Sequence, residues 1–170
     1  ILRSMQTCYK HLNFSTFGYK KIKNNNSQLV MGRYLSGNCI SMALFVQSYL
    51  IENHKAKSYI ICASVPNINK IKNTPKACHC ALLVPLGKRR FAIVDCAFNF
   101  KTPLICSLDE LGMLHTTYTC DVYAHDQVTV YYRLKSCEST NIDETFNQHV
   151  LPDTLCVRCN YTETPHQYWD

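Results

Sequence analysis

Residues 79–98 read HCALLVPLGKRRFAIVDCAF, and this stretch decides the fold. Two apolar runs flank Gly87 and its basic neighbours, which is the pattern of an antiparallel β-hairpin. A three-residue loop formed by residues 86–88 places His79 directly across from Asp95 on one face of the sheet, with Cβ atoms within about 5.5 Å. A two-residue turn would move Asp95 out of register, so the expected contact depends on this loop.

A helix is predicted upstream of the hairpin, over residues 39–53, which follow Gly37-Asn38-Cys39. Ser36 and Asn38 are both favoured N-cap residues, and Gly37 permits a sharp turn before the helix. Apolar residues at i, i+3 and i+4 spacing predict a stripe that packs the helix onto the rest of the fold. The stripe consists of Ile40, Ala43, Leu44, Gln47, Leu50 and Ile51.

The remaining pattern predicts further strands. Strands are expected at residues 58–65, 79–86, 91–98 and 127–134, and a short helix at residues 107–114. One helix followed by several consecutive strands predicts an α+β fold, with the helix on an antiparallel sheet that is covered on both faces. The first 36 residues are polar and aromatic, and a loop is expected at residues 20–28, which contain a run of three asparagines. The tail from residue 136 is too mixed to assign. With 46% apolar residues and no low-complexity tract, residues 1–170 are expected to form a single domain.

Three residues point to a reaction class. Cys39, His79 and Asp95 are the residue types of a thiolate nucleophile, its base and the group that orients the base. At the first turn of a helix, unpaired backbone N–H groups and the helix dipole favour a thiolate and can stabilise an oxyanion. The sequence therefore predicts Cys39 as nucleophile, His79 as general acid and base, and Asp95 as the residue that fixes the His79 tautomer. The structural alternative is a buried helix-start cysteine beside ordinary strand residues.

This arrangement resembles the transglutaminase-like branch of the papain-like cysteine enzymes. The likeness covers residues 31–100: a Cys that opens a helix after a Gly-x pair, a strand that begins with His and a strand that ends in Asp. The segments HCALLV and FAIVDCAF are similar to the His and Asp strands of arylamine N-acetyltransferases. Residues 36–41, SGNCIS, differ from both subfamilies. They lack the Arg-Gly-Gly lead and following Glu of the acetyltransferases, and the aromatic residue that follows the Cys in animal transglutaminases.

The resemblance implies a papain-like (transglutaminase-like) core and acyl transfer through a Cys39 thioester, without a cofactor. The substrate would be an amide or thioester carbonyl of a peptide, a protein or a small acyl donor. The protein would then be a cysteine-dependent hydrolase, such as a peptidase or amidase, or an acyltransferase. Two alternatives stay open: acetyl transfer of the arylamine N-acetyltransferase type, and a non-catalytic interaction domain of the same fold.

The cysteine content bears on the cellular compartment. Eleven cysteines are many for 170 residues, and their odd number leaves at least one thiol unpaired. Several lie in apolar runs without the dense spacing of a disulfide scaffold, which favours reduced thiols and a cytoplasmic location. Three sequons, at Asn13, Asn25 and Asn160, keep a secreted protein open as the alternative.

A zinc site competes for the same histidine. Cys78, His79 and Cys80, together with the pair Cys156 and Cys159, carry thiolate and imidazole ligands, and CxxC is a common zinc half-site. In a strand, residues 78 and 80 point to one face and residue 79 to the other, so at most two of that trio can converge. The catalytic interpretation without a metal is therefore preferred.

Charge and length limit the partners. The net charge of +6 is spread over short clusters in predicted loops, which is typical of a solvated surface and compatible with an acidic or phosphate-bearing partner. No aromatic residues interleave with these clusters, which argues against nucleic acid. No apolar run reaches the roughly 18 to 20 residues of a membrane span. The chain starts at Ile1 without a leader and is expected to be a fragment, a processed chain or one domain of a longer protein.

Overall fold

The computed structural model describes residues 1–22, 26–64, 79–87, 89–98, 100, 102–108, 114–116, 127–136 and 154–160. Within these ranges the helices are α1 (Leu2–His11), α2 (Phe17–Ile22), α3 (Ser27–Tyr34) and α4 (Cys39–His54). The strands are β1 (Asn13–Phe14), β2 (Ser36–Gly37), β3 (Tyr59–Ser64), β4 (His79–Pro85), β5 (Arg90–Val94), β6 (Leu104–Leu108), β7 (Leu114–Thr116), β8 (Gln127–Ser136) and β9 (Thr154–Asn160). A 3-10 turn, Cys96–Phe98, follows β5.

The described strands β3 to β9 form one sheet in the order β7-β6-β5-β4-β3-β8-β9. Every neighbouring pair in this sheet is antiparallel. The short strands β1 and β2 pair separately and in parallel. Because the described helices come first and the main sheet follows, the predicted α+β class with an antiparallel sheet is confirmed.

The centre of this sheet is shielded on both faces. In β4 the five consecutive residues 80–84 are buried, and in β5 residues 91–94 are buried. Because successive side chains in a strand point to opposite faces, unbroken burial means that both faces are covered at this point. The predicted two-sided coverage of these strands is therefore confirmed.

Helix α4 packs against β3 and β4, and α1 packs against α4. The predicted stripe is wrong in part, since Ile40 and Ile51 are 44% and 49% exposed. Ala43 and Leu50 of the stripe are buried as predicted, and Met42 and Val46, which lie outside it, are buried as well. The helix is apolar around most of its circumference, so the period of its sequence does not fix which face turns inward.

The β4–β5 hairpin reverses one residue later than predicted. The backbone N–H of Leu86 donates to the carbonyl oxygen of Arg90 at 2.8 Å, so the turn lies between these two residues rather than at residues 86–88. Gly87 (φ 119°) and Arg89 (φ 60°) adopt positive φ angles there. Left-handed backbone at these two positions lets the chain turn without opening the Leu86–Arg90 pair.

This later turn changes the partner of His79. Val94 pairs with Leu82, and extending that register by one residue aligns Asp95 with Ala81 rather than with His79. The prediction that His79 and Asp95 are direct cross-strand partners is therefore wrong. The alignment has moved by two residues, which preserves the face of the sheet, so the two side chains remain diagonal neighbours on one side.

Other expectations also change. The first 36 residues contain α1, α2 and α3. The loop predicted at residues 20–28 is wrong at both of its ends, since residues 20–22 lie in α2 and residues 27–28 in α3. Ser107 and Leu108 lie in β6 and Leu114 in β7, so the helix predicted over residues 107–114 is wrong at both of its ends. The second hairpin strand ends at Val94 rather than at residue 98. The strands predicted at residues 58–65 and 127–134 correspond to β3 and β8.

Candidate active site

Cys39 is the first residue of α4, and the helix start is fixed by the side chain of Asn38. The Asn38 Oδ1 atom accepts hydrogen bonds from the backbone N–H groups of Ile40 at 3.0 Å and Ser41 at 3.2 Å. These bonds satisfy two of the N–H groups that a helix leaves unpaired at its start. Of the two predicted N-caps, Asn38 is confirmed, whereas Ser36 lies in β2.

Tyr19 ties this helix start to α2 and α3. Its hydroxyl donates to Asn38 Oδ1 at 2.9 Å and lies 2.8 Å from Ser27 Oγ and 2.6 Å from Ser41 Oγ. A phenol has one proton to donate and two lone pairs, so donation to Asn38 leaves both serine hydroxyls to donate to Tyr19. The network holds the residues on either side of Cys39 in one arrangement.

Gly37 allows the chain to approach this network closely. A Cβ atom at position 37 would overlap the Cβ and Oγ atoms of Ser41. Ser41 is 0% exposed and has no room to retreat. The glycine that the sequence suggested for a sharp turn is thus required by steric contact with the first turn of α4.

His79 and Asp95 meet at the other side of the site. His79 Nε2 lies 2.6 Å from Asp95 Oδ2, and the two side chains are 8% and 1% exposed. Phe98 contacts the imidazole edge to face, with ring centroids 4.7 Å apart. Because Nε2 is hydrogen-bonded to Asp95, Nδ1 is the ring nitrogen that can exchange a proton with Cys39.

Tyr132 is a member of the site that the sequence did not reveal. Its hydroxyl donates a hydrogen bond to Asp95 Oδ2 at 2.8 Å, and its side chain is 0% exposed. Ala63 on β3 pairs both with His79 on β4 and with Tyr132 on β8, so the three residues form one row across the sheet. No sequence motif identifies Tyr132 as a site residue, because it reaches the site only through the pairing of β8 with β3.

Asp95 is held on one oxygen only. Oδ2 accepts from both His79 and Tyr132, whereas Oδ1 is buried and has no hydrogen-bond partner among the described residues. Cys39, Cys80 and Asp95 line a crevice between α4 and the sheet that is too narrow for a water molecule. A carboxylate buried with so few donors favours a neighbouring positive charge, which His79 can supply.

The thiol of Cys39 is half-buried beside His79 and Cys80. Its hydrogen bond with the Cys80 thiol, opposed by burial and assisted by the hydrogen bond and positive charge of His79, lowers the pKa of Cys39 to about 4. The same hydrogen bond, together with burial, raises the pKa of Cys80. Cys39 carries the negative charge because it stands at the helix N-terminus and next to the imidazole.

The imidazole of His79 is charged at neutral pH. Burial opposes the positive charge, but the Asp95 carboxylate and the Cys39 sulfur outweigh it and raise the pKa of His79 to about 10. Cys39 and His79 therefore form a thiolate and imidazolium pair between about pH 4 and about pH 10. Such a pair can add a nucleophile to a carbonyl carbon and then deliver a proton to the leaving group.

The competing zinc site gains no support from the described part of the chain, where no three His, Cys, Asp or Glu side chains are placed to hold a metal. Cys78 lies outside the described residues. Cys156 and Cys159 lie on β9, in register with Tyr131 and Val128 of β8. Cys62 is disulfide-bonded, so the expected reduced state does not hold for that cysteine.

The chain matches no protein-family model, no curated protein and no solved structure. None of the helices in the described ranges is long and apolar enough to cross a membrane. The functional argument therefore depends on the geometry of the site.

Proposed function

We propose that this protein is a cysteine-dependent acyl-transfer enzyme in which Cys39 is the nucleophile, His79 the general acid and base, and Asp95 the residue that orients His79. The observation that carries this proposal is the position of Cys39 at a capped helix start beside a His79–Asp95 pair with a 2.6 Å hydrogen bond. The pairing of a thiolate with a charged imidazole is the ordinary means of activating a cysteine.

The fold agrees with a papain-like core of the transglutaminase-like type. A helix that begins with the nucleophile precedes an antiparallel sheet, and the histidine opens one strand of that sheet. The aspartate follows the next strand directly. This order supports the family proposal at the level of fold and site, and it leaves the subfamily open.

The reaction would begin with attack of the Cys39 thiolate on an amide or thioester carbonyl. The backbone N–H groups of Ile40 and Ser41 are already bonded to Asn38, so the N–H of Cys39 is the donor that we assign to the developing oxyanion. His79 would give its proton to the leaving amine or thiol as the tetrahedral intermediate collapses to the Cys39 acyl-enzyme. Neutral His79 would then take a proton from water or an amine as it attacks the acyl group.

Acylation with p-nitrophenyl acetate tests the proposal without knowledge of the natural substrate. We expect a burst of p-nitrophenol, with one acetyl group on the peptide that contains Cys39. Cys39→Ala should abolish the burst, and His79→Ala should nearly abolish it. Asp95→Asn should slow acylation by roughly 10²- to 10⁴-fold, because it favours the wrong His79 tautomer.

Cys106→Ala is the matched control, since Cys106 is a fully buried free thiol on β6 whose pKa is raised to about 12 by burial. It should retain the full burst. An undiminished burst in Cys39→Ala, or an acetyl group on another cysteine, would contradict the proposal. Addition of an arylamine separates transfer from hydrolysis, because an acetyltransferase would lose the adduct faster in its presence.

A further inference from the structure

We infer that Cys39 and Cys80 form a redox pair, in which a hydroperoxide oxidises Cys39 and the Cys80 thiol then closes a disulfide with it. Both thiols are free, both line the crevice between α4 and β4, and they share a hydrogen bond. The inference concerns regulation of the proposed active site. It rests on the thiolate that the proposed function assigns to Cys39, though not on acyl transfer itself.

In such a redox pair, one sulfur must react first with the oxidant and the other must stay reduced until it attacks. Cys39 and Cys80 differ in this way. Cys39 is half-buried, whereas Cys80 is buried at 9% exposure, so Cys39 is the more accessible of the two. A thiolate reacts with peroxide and a thiol does not, so oxidation begins at Cys39. Cys80 lines the same crevice and shares a hydrogen bond with Cys39, so its thiol is placed to attack the oxidised sulfur.

Oxidation of Cys39 also prepares Cys80 for that attack. The leading cause of the raised pKa of Cys80 is its hydrogen bond with Cys39, and the charge of Cys39 adds to it. When Cys39 becomes a neutral sulfenic acid, its negative charge is lost and Cys80 loses its proton more readily. The second step is thus favoured by completion of the first.

The two steps balance with a hydroperoxide as the only oxidant. In the first, the Cys39 sulfur bonds to one peroxide oxygen, the O–O bond breaks, and the released hydroxide takes the proton of the His79 imidazolium to form water. In the second, the Cys80 sulfur bonds to the Cys39 sulfur, the S–O bond breaks, and the sulfenic hydroxyl leaves with the Cys80 proton as water. Peroxide is reduced to two water molecules and the two sulfurs are oxidised to a disulfide.

The chain contains a second pair of hydrogen-bonded thiols for comparison. Cys8 and Cys96 are both free and buried, at 0% and 6% exposure. The hydrogen bond with Cys8, together with burial, raises the pKa of Cys96. Like Cys39 and Cys80, these two thiols are hydrogen-bonded to each other. Both sulfurs are buried, and no imidazolium among the described residues activates them, so the pair should resist mild oxidation.

Mass spectrometry of the full chain after treatment with hydrogen peroxide at neutral pH tests the inference. We expect a loss of about 2 Da, the mass of two hydrogens, with a cross-linked peptide that joins Cys39 to Cys80. Dithiothreitol should remove the cross-link between the Cys39 and Cys80 peptides. Cys8 and Cys96 should stay reduced at the peroxide concentration that closes the first pair.

Two variants make the result specific. In Cys80→Ala, oxidised Cys39 has no partner, so it should gain about 16 Da as a dimedone-reactive sulfenic acid and then about 32 Da irreversibly. Cys106→Ala should behave as the wild type. Circular dichroism checks the fold of each variant, and Cys80→Ser replaces Cys80→Ala if the latter does not fold.

The inference is wrong if wild-type Cys39 proceeds to sulfinic acid as it does in Cys80→Ala, or if the disulfide joins Cys39 to another cysteine. Iodoacetamide separates this failure from failure of the proposed function. Rapid labelling of Cys39 without a Cys39–Cys80 disulfide would remove the redox pair alone. If Cys39 reacts with neither iodoacetamide nor hydrogen peroxide, it is not a thiolate, and both proposals are wrong.

Discussion

The hydroxyl of Tyr132 donates a hydrogen bond to Asp95 Oδ2 at 2.8 Å, although the two residues are 37 positions apart in the sequence. The same oxygen lies 2.6 Å from His79 Nε2. Two strands of the sheet thus hold one carboxylate oxygen, while the other oxygen of Asp95 has no partner in the part of the chain that the structure describes. The orientation of Asp95 depends on Tyr132 as well as on His79.

Tyr132→Phe should weaken the activation of Cys39 without unfolding the protein, because it removes one oxygen and keeps the buried ring. Cys39, His79 and Asp95 together carry a net negative charge. Loss of the Tyr132 hydrogen bond leaves this charge less stabilised, so the site binds a proton more readily. The pH midpoint of Cys39 alkylation should therefore rise, by about one pH unit. Rates of iodoacetamide labelling across pH measure this. An unchanged midpoint in a folded variant would show that Tyr132 only fills space.

Alkylation of wild-type Cys39 should have a broad pH window. The pKa of Cys39 is lowered from the ordinary thiol value of 9.0 to about 4, so its contribution to stability is complete above about pH 9 and is lost progressively as the pH falls to about 4. The pKa of His79 is raised to about 10, so its contribution is lost as the pH rises through about 10. At pH 7, limiting iodoacetamide should label Cys39 ahead of the other described free thiols, as peptide mapping can check. Labelling that rises only near the ordinary pKa of a thiol would contradict the charged pair.

Gly37→Ala should destabilise the protein by roughly 1–3 kcal/mol, because its Cβ overlaps the buried side chain of Ser41. Gly32→Ala is the matched control, since a Cβ at this exposed position of α3 meets nothing within 4 Å. That change should be neutral or stabilise by up to about 1 kcal/mol. Urea denaturation measures both variants, and equal stabilities would show that Gly37 is not sterically required.

Asn38→Ala should cost about 1–2 kcal/mol and also slow the alkylation of Cys39, because it removes the cap of α4 and the acceptor for Tyr19. Asn26→Ala provides the comparison, since Asn26 caps α3 through the backbone N–H of Leu29. It should lower stability to a similar extent but leave Cys39 reactivity unchanged. Equal alkylation rates of Cys39 in the two variants would show that the Asn38 cap does not contribute to the reactivity of Cys39.

Treatment with a zinc chelator should leave the fold and the reactivity of Cys39 unchanged, because the His79 ring is committed to Asp95 and Cys39. Purified protein should hold well under one equivalent of zinc. Stoichiometric zinc that is lost together with structure and is traced to His79 or Cys80 would overturn the proposed function. Zinc bound only by Cys156 and Cys159 would not.

Local sequence patterns were sufficient for the elements that carry the site. The start of α4 at Cys39, its cap at Asn38 and the strand that opens at His79 all follow from short-range signals, because caps, turns and alternation act over a few residues. The same-face relation of His79 and Asp95 also followed from the sequence. Side chains in a strand alternate between the two faces of the sheet with a period of two residues. The error in the turn moved the pairing by two residues, so both side chains stayed on the predicted face.

The arrangement around these elements was decided by tertiary packing. The turn closed on Leu86 and Arg90, which moved the partner of His79, and α4 turned Met42 and Val46 inward instead of Ile40 and Ile51. An apolar helix offers several faces for burial, and only contact with α1 and the sheet selects one. The order of strands is equally non-local. It places Tyr132 of β8 in the row of His79 through Ala63, because strand neighbours are chosen by the packing of the whole sheet and not by distance along the chain.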